Sequence, residues 1–296
     1  MSKKLLLLAI LFSIVNSQFS SVHAQDTTSP GARWWWLGSA VDKENLRWNM
    51  EQYASHGIGA LEITPLYGVK GNEANNIDYL SPKWMEMLRY VEDEGRRLGI
   101  QVDMNNGTGW PFGGPTTPIE EAACKALVID TIVTKADYDK GIDFAVPAKE
   151  KKYAKLDFVQ CYPTNEKDKV RVIALYISRT RQQVKRAAPG GQGYVIDHFD
   201  KDAVKHYLEK FDKAFNETNT PWPNTIFNDS YEVYGADWTP TLPAEFEKHR
   251  GYSLKENINK LVDRDPQVVS DYRETLSDML LDNFTKQWVA WAHNHA

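Results

Sequence analysis

SPKWMEMLRYVEDEGRRLGIQVDMNNGTGWP, Ser81 to Pro111, is the stretch that decides the fold. Ser81 followed by Pro82 marks a helix start. The serine oxygen can accept a first-turn N–H, and proline is tolerated where no N–H is needed. Trp84, Leu88, Val91 and Leu98 give the helix an apolar face, and Gly99 supplies the left-handed stop. Ile100, Val102 and Met104 then alternate with the two-residue period of a strand. That strand runs into a polar loop, Asn105-Asn106-Gly107-Thr108-Gly109-Trp110-Pro111.

The same unit repeats toward the amino terminus. Arg33-Trp34-Trp35-Trp36-Leu37-Gly38 reads as a strand, and Asp42 caps a helix carrying Leu46, Met50 and Tyr53 that stops near Gly57. Ile58 to Ile63 is the next strand, followed by Thr64-Pro65-Leu66. Alternation of strand and helix with short loops predicts a parallel sheet, either doubly wound or a barrel. No glycine-rich phosphate fingerprint follows a strand, because Gly107-Thr108-Gly109 leads into Trp and Pro rather than a helix.

Toward the carboxyl terminus the alternation breaks. Residues 116–195 hold two runs rich in Val, Ile and Leu, Ala126 to Val133 and Val170 to Ile177, and read as an inserted small β-unit. Pro189-Gly190-Gly191 leads to a return strand, Tyr194 to Ile196, and a helix spans about Lys201 to Phe215. The strand Thr225-Ile226-Phe227 opens into FNDSYEVYGADWTP, Phe227 to Pro240, where Asn228, Asp229, Glu232 and Asp237 stand among Tyr231, Tyr234 and Trp238. Carboxylates beside flat aromatic faces suit glycoside cleavage: the acids move protons and the rings cover the C–H faces of a pyranose. The same residues also suit a helix cap and a core lid. A short helix around Phe246 ends at Gly251, and a long one from Pro266 carries Leu276, Leu280, Phe284 and Trp288 on one face. The expected class is α/β, a (β/α)8 TIM-type barrel. Such a barrel takes about 250 residues without insertions. With roughly four units in view, the chain is expected to hold its first half: residues 25–115 open it, 116–195 are inserted, and 196–296 continue it. The carboxyl ends of parallel strands then gather Glu62, the Asp103–Trp110 cluster and the Asn228–Trp238 cluster on one face.

Composition agrees with a soluble globular protein: 296 residues, 42% hydrophobic and 25% charged. Lys3 and Lys4, the apolar run Leu5 to Val15 and Val22-His23-Ala24 predict an export signal over residues 1–24, with Gln25 as the first mature residue. Removing two lysines leaves 33 basic against 40 acidic residues, a net charge near −7, which disfavours nucleic acid as a partner. After cleavage no membrane association is expected; the protein is expected in the periplasm or outside the cell. Cys124 and Cys161 allow one disulfide or two free thiols. His293 and His295 have poor spacing for a metal site.

Six blocks, RWWWLGSAV (33–41), GALEITPLYG (59–68), NNGTGWPFGGP (105–115), YVIDHF (194–199), NDSYEVYGADWTP (228–240) and FEKHRGY (246–252), resemble the α-L-rhamnosidases of glycoside hydrolase family 106. The resemblance implies a catalytic barrel, removal of terminal α-linked rhamnose with inversion by two glutamates, and calcium near the sugar. It also implies a longer protein, with the second glutamate carboxyl-terminal to this chain. Glu232, in NDSYEV, falls on the catalytic position. Glu62, Asn105, Asn106, Trp110, Asn228, Asp229 and Trp238 are the candidate sugar-binding residues. A glycosidase of other sugar specificity and a sugar-binding fragment without turnover are the alternatives.

Overall fold

The computed structural model describes residues 29–295; the expected signal segment, 1–24, lies outside the described residues. Strand β1 (Gly31–Leu37) shows why one sheet face is apolar. Trp34 and Trp36 are buried while Arg33, Trp35 and Leu37 point the other way, the two-residue period of a pleated strand. Helix α1 (Lys43–Ser55) is capped by Asp42, whose carboxylate accepts the Asn45 N–H at 2.9 Å. Strand β2 (Ala60–Leu66) follows, then helix α2 (Pro82–Leu98). Ser81 accepts the Trp84 N–H there at 3.3 Å, and Gly99 at φ 69° closes the helix, as the Ser-Pro and Gly signals predict. Strand β3 (Gln101–Asn105) completes the run.

β1, β2, β3 and β9 (Thr225–Phe227) form one parallel sheet in that order. The four segments predicted to be parallel neighbours are neighbours. The closed eight-stranded barrel is not present: among the described residues this sheet is open, with β1 and β9 at its edges. Four strands cannot close, because a barrel interior that side chains just fill needs about eight.

Helices α1, α2 and α4 (Lys201–Thr218) cover one face. Trp34, Trp36, Leu61, Ile63, Trp84, Leu88, Met104 and Phe211 share their core. The other face carries a row in register across the sheet: Arg33, Glu62, Asp103 and Thr225. On it Trp35 is 59% exposed. Parallel sheets are ordinarily covered on both faces.

The segment between β3 and α4 holds β4 (Gly113–Gly114), β5 (Cys124–Thr134), α3 (Lys135–Lys140), β6 (Lys155–Pro163), β7 (Lys169–Arg179) and β8 (Tyr194–Val195). β5, β7 and β6 form an antiparallel sheet with β7 central, and β4 pairs with β8. The three-stranded sheet does not have a core of its own. Ile173 and Leu175 of β7 pack with Trp238, Leu242, Phe246, Leu254 and Ile258, so it shares apolar surface with α5 (Leu242–Arg250), α6 (Ile258–Val262) and α7 (Pro266–Met279). The expected long helix continues from α7 through a widened π segment, Leu280–Lys286, into α8 (Gln287–His293). Its Leu280, Phe284 and Trp288 reach back to the first core.

Cys124 and Cys161 are free. In the sheet register Cys124 lies opposite Arg179 and Cys161 opposite Val172. Seven residues along β7 is about 23 Å, far beyond the roughly 7 Å Cα limit for a disulfide.

Glu92 on α2 is buried, and burial pushes its carboxyl up to about 8. The folded state therefore holds a proton that the unfolded chain releases near 4.5. Stability should fall as pH rises from about 4.5 to 8, by on the order of a few kcal/mol. Glu92→Gln should match the parent near pH 4 and exceed it near pH 9 in thermal melts; parallel pH curves for the two proteins would refute this.

Candidate active site

Because β1, β2, β3 and β9 are parallel, their carboxyl ends meet at one edge of the sheet, where the loop residues singled out in the sequence emerge. The first cluster is built around Arg33, a residue to which sequence reading gave no role. Its Nε lies 3.1 Å from Glu62 Oε1 and its Nη1 2.5 Å from Asp229 Oδ1. The guanidinium also stands over the Phe227 ring at 5.1 Å. Thr64 donates to Glu62 Oε1 at 2.9 Å. Burial works against the Arg33 charge, but the hydrogen bond to Asp229 and the charges of Glu62 and Asp229 outweigh it and raise its pKa. Glu62 and Asp229, 167 positions apart in the chain, are thus drawn together by one cation.

The second cluster lies in the loop after β9. Glu232 is exposed, and its Oε2 accepts from Lys185 Nζ at 2.8 Å. The same ammonium donates to the Tyr234 hydroxyl at 3.1 Å. Gln182 brackets the loop from the other side: its Nε2 donates to the Glu232 carbonyl at 2.6 Å, and its Oε1 accepts the Tyr234 N–H at 2.7 Å. Hydrogen bonding to Lys185 and then its charge hold the Glu232 carboxyl below the usual range. Glu232 is therefore an anion near neutrality, suited to accept a proton and not to donate one.

Trp110 joins this cluster through backbone. Its N–H donates to the Lys185 carbonyl at 3.1 Å and its carbonyl accepts the Lys185 N–H at 2.8 Å. The close approach requires glycine next door. Gly109 has φ 57°, and a Cβ there would sit 1.9 Å from the Lys185 carbonyl oxygen. Lys185 lies in the polar run before Pro189, where no periodicity or motif points to it.

Asn105 and Asn106 are buried at the end of β3. The Asn106 N–H donates to the Phe227 carbonyl at 2.9 Å, extending the β3–β9 ladder, and its carbonyl accepts from Tyr207 at 2.7 Å. The Asn106 side-chain amide and Asn105 Nδ2 have no partner among the described residues. Asn228 is half-buried just past β9. Nearby, His198 is enclosed between Tyr231 and Phe284, with ring centroids 4.8 and 4.7 Å away. Burial lowers it to about 3, so the imidazole is neutral. Its neighbour Asp197 is raised to about 6 by burial. Sequence reading had marked the YVIDHF block without giving either residue a role.

Trp238, expected among the sugar-binding residues of this edge, is a correction. It is 1% exposed, stacks on Tyr272 at 6.4 Å and packs with Leu242, Phe246 and Ile258. Asp237 beside it accepts the Ala126 N–H at 2.8 Å. The loop turns away from the strand ends at this point to anchor on β5, because an indole buries more apolar area there than at a solvated rim. For calcium, the described residues hold no group of three or more His, Cys, Asp or Glu able to bind a metal ion. Glu62 and Asp229 face an arginine instead.

Comparison with known proteins places the fold. The structure is similar to that of a rhamnosidase from Novosphingobium sp. PP1Y, with a TM-score of 0.70 at 14% identity, over 92% of this chain and 46% of that one. At that identity the likeness concerns the fold. A curated protein named "Putative beta-glucuronidase" from Formosa agariphila is 24% identical over 321 residues, covering 85% of this chain and 27% of its own length. The chain thus spans just under half of the rhamnosidase's length and about a quarter of the Formosa protein's. The model of an α-L-rhamnosidase family, glycoside hydrolase family 106, matches residues 23–151 and 161–296. On that match, over most of its length, the chain belongs to the α-L-rhamnosidase family, glycoside hydrolase family 106.

Proposed function

We propose that this chain forms the first half of a catalytic (β/α)8 barrel that hydrolyses terminal α-L-rhamnosyl residues with inversion, Glu232 acting as general base. The observation that carries the reading is the ionised Glu232 carboxylate, held by Lys185 on a strand-end loop beside Trp110. Inversion needs a carboxylate to activate water on one side of the sugar and a carboxylic acid on the other, roughly 6.5–9.5 Å apart. The acid would come from strands beyond those described. Arg33 fixes one oxygen each of Glu62 and Asp229, which leaves the others for sugar hydroxyls. Asn105, Asn106 and Asn228 lie at the carboxyl ends of β3 and β9.

A specific observation supports a second reading, a uronic sugar. Arg186 follows Lys185 in the chain and its guanidinium stands over Tyr67 at 5.1 Å, and a guanidinium suits a sugar carboxylate. A protein carrying the complete barrel should release rhamnose from an aryl α-L-rhamnoside, with the β-anomer forming first by NMR. Turnover of an aryl β-D-glucuronide instead would replace the rhamnosyl reading by the uronyl one, and α-rhamnose as first product would remove inversion.

A further inference from the structure

A cleft of about 790 Å3 opens between the antiparallel sheet and helices α6 and α7, built from elements other than the parallel strands. Small-ligand sites fall at roughly 300–1,000 Å3. At its base lies Trp238, whose indole Nε1 has no acceptor among the described residues. A buried indole N–H without a partner is costly. Tyr272 stacks beside it and donates its hydroxyl to the Asp237 carbonyl. The Asp237 carboxylate gives one oxygen to the Ala126 N–H and leaves the other unclaimed.

The rim is cationic. Arg264 and Arg273 are exposed at the cleft and have no acidic partner among the described residues. Other arginines in this part of the molecule are not free in this way: Arg171 is held by Asp130 and Asp263, and Arg250 by Glu274 and Asp278. Tyr272, half-buried at the cleft, offers a ring to the C–H surface of a pyranose, and the lone N–H and carboxylate oxygen are the polar groups beside it. Two guanidiniums without counterions match carboxylates in bidentate geometry.

We propose that this cleft is a second carbohydrate-binding site, separate from the strand-end site, that takes a short glycan chain bearing carboxylates. Two rim cations against one carboxylate, Asp237, favour an acidic chain over a neutral one. The cleft would hold such a polymer while a terminal sugar is processed elsewhere, but binding here requires neither Glu232 nor turnover.

The test is calorimetric titration of the chain with trigalacturonate and with a neutral trisaccharide, at low and at high salt. Trigalacturonate should bind and the neutral sugar should not, with affinity falling as salt rises. The surface double variant Arg264→Ala/Arg273→Ala should lose about tenfold or more. Trp238→Phe, which keeps a ring and removes the N–H, should also weaken binding, and Glu232→Gln should leave it unchanged. Thermal midpoints show that each variant is folded. The proposal is overturned if trigalacturonate gives no binding heat at millimolar concentration, if the double arginine variant binds as the parent does, if the neutral sugar binds equally, or if Glu232→Gln abolishes the signal.

Discussion

Replacing Glu232 by Gln in a protein with the complete barrel is expected to lower kcat/KM by at least about 10²–10⁴-fold, the usual worth of a general acid–base group, while sugar affinity stays close to the parent's. Gln keeps the side-chain shape and removes the charge that activates water. The loop should hold its place, because Gln182 grips the backbone carbonyl of residue 232 and the Tyr234 N–H, not the carboxylate. Lys185 supplies a second readout. Its hydrogen bond and charge hold the Glu232 pKa down, so Lys185→Met should move the acid limb of the pH–rate profile upward and Lys185→Arg should restore it. A Glu232→Gln enzyme that turns over at near the parent rate would end the assignment, and Glu62 or Asp229 would follow as candidates.

The second large effect separates two adjacent tryptophans. Trp36 is 1% exposed and packs edge to face with Trp34 at 5.9 Å and against Trp84 at 5.7 Å. Trp84 is tied in turn through its N–H to the buried Ser39 hydroxyl at 3.0 Å. Trp36→Ala in this chain should cost roughly 3–5 kcal/mol, the transfer free energy of a buried ring plus a cavity among aromatics that cannot collapse into it. Trp35, one residue earlier, lies on the uncovered face, and Trp35→Ala should stay within about 0.5 kcal/mol. Denaturant melts of the two variants check this. Equal losses would mean that both faces of the sheet are covered in solution.

The helical and strand units were legible because each carries its own punctuation. Asp42, the Ser81-Pro82 pair and Gly99 fix helix ends by local hydrogen bonds and dihedrals, and the alternation of Trp34 and Trp36 with Arg33 and Trp35 fixes the strand faces. Parallel order followed from the alternation. Closure did not, since it depends on how many strands there are. In the site, Glu232 could be singled out by its place in a motif, but Lys185 and Gln182 could not: Lys185 is brought to it by a backbone bridge to Trp110 and Gln182 grips the loop backbone with its amide, and no local pattern announces either. Arg33 was readable only as the outward residue of a strand. Trp238 misled because an aromatic in a polar loop looks the same in sequence whether it faces the strand ends or the helices behind the loop.

The shortness of β9 governs the order in which the molecule can assemble. It pairs with β3 through three residues, Thr225 to Phe227, yet 120 positions separate the end of β3 from its start. Closing an unstructured chain of that length costs about 4 kcal/mol in entropy, while a few ladder bonds contribute about 1 kcal/mol each. Pairing alone therefore cannot hold β9 in place. The antiparallel sheet and α4 must first fold and shorten the connection, and only then can Asp229 meet Arg33. The carboxylate cluster is thus expected to form late in folding, and a lesion in the β-unit is expected to weaken it with every site residue still intact.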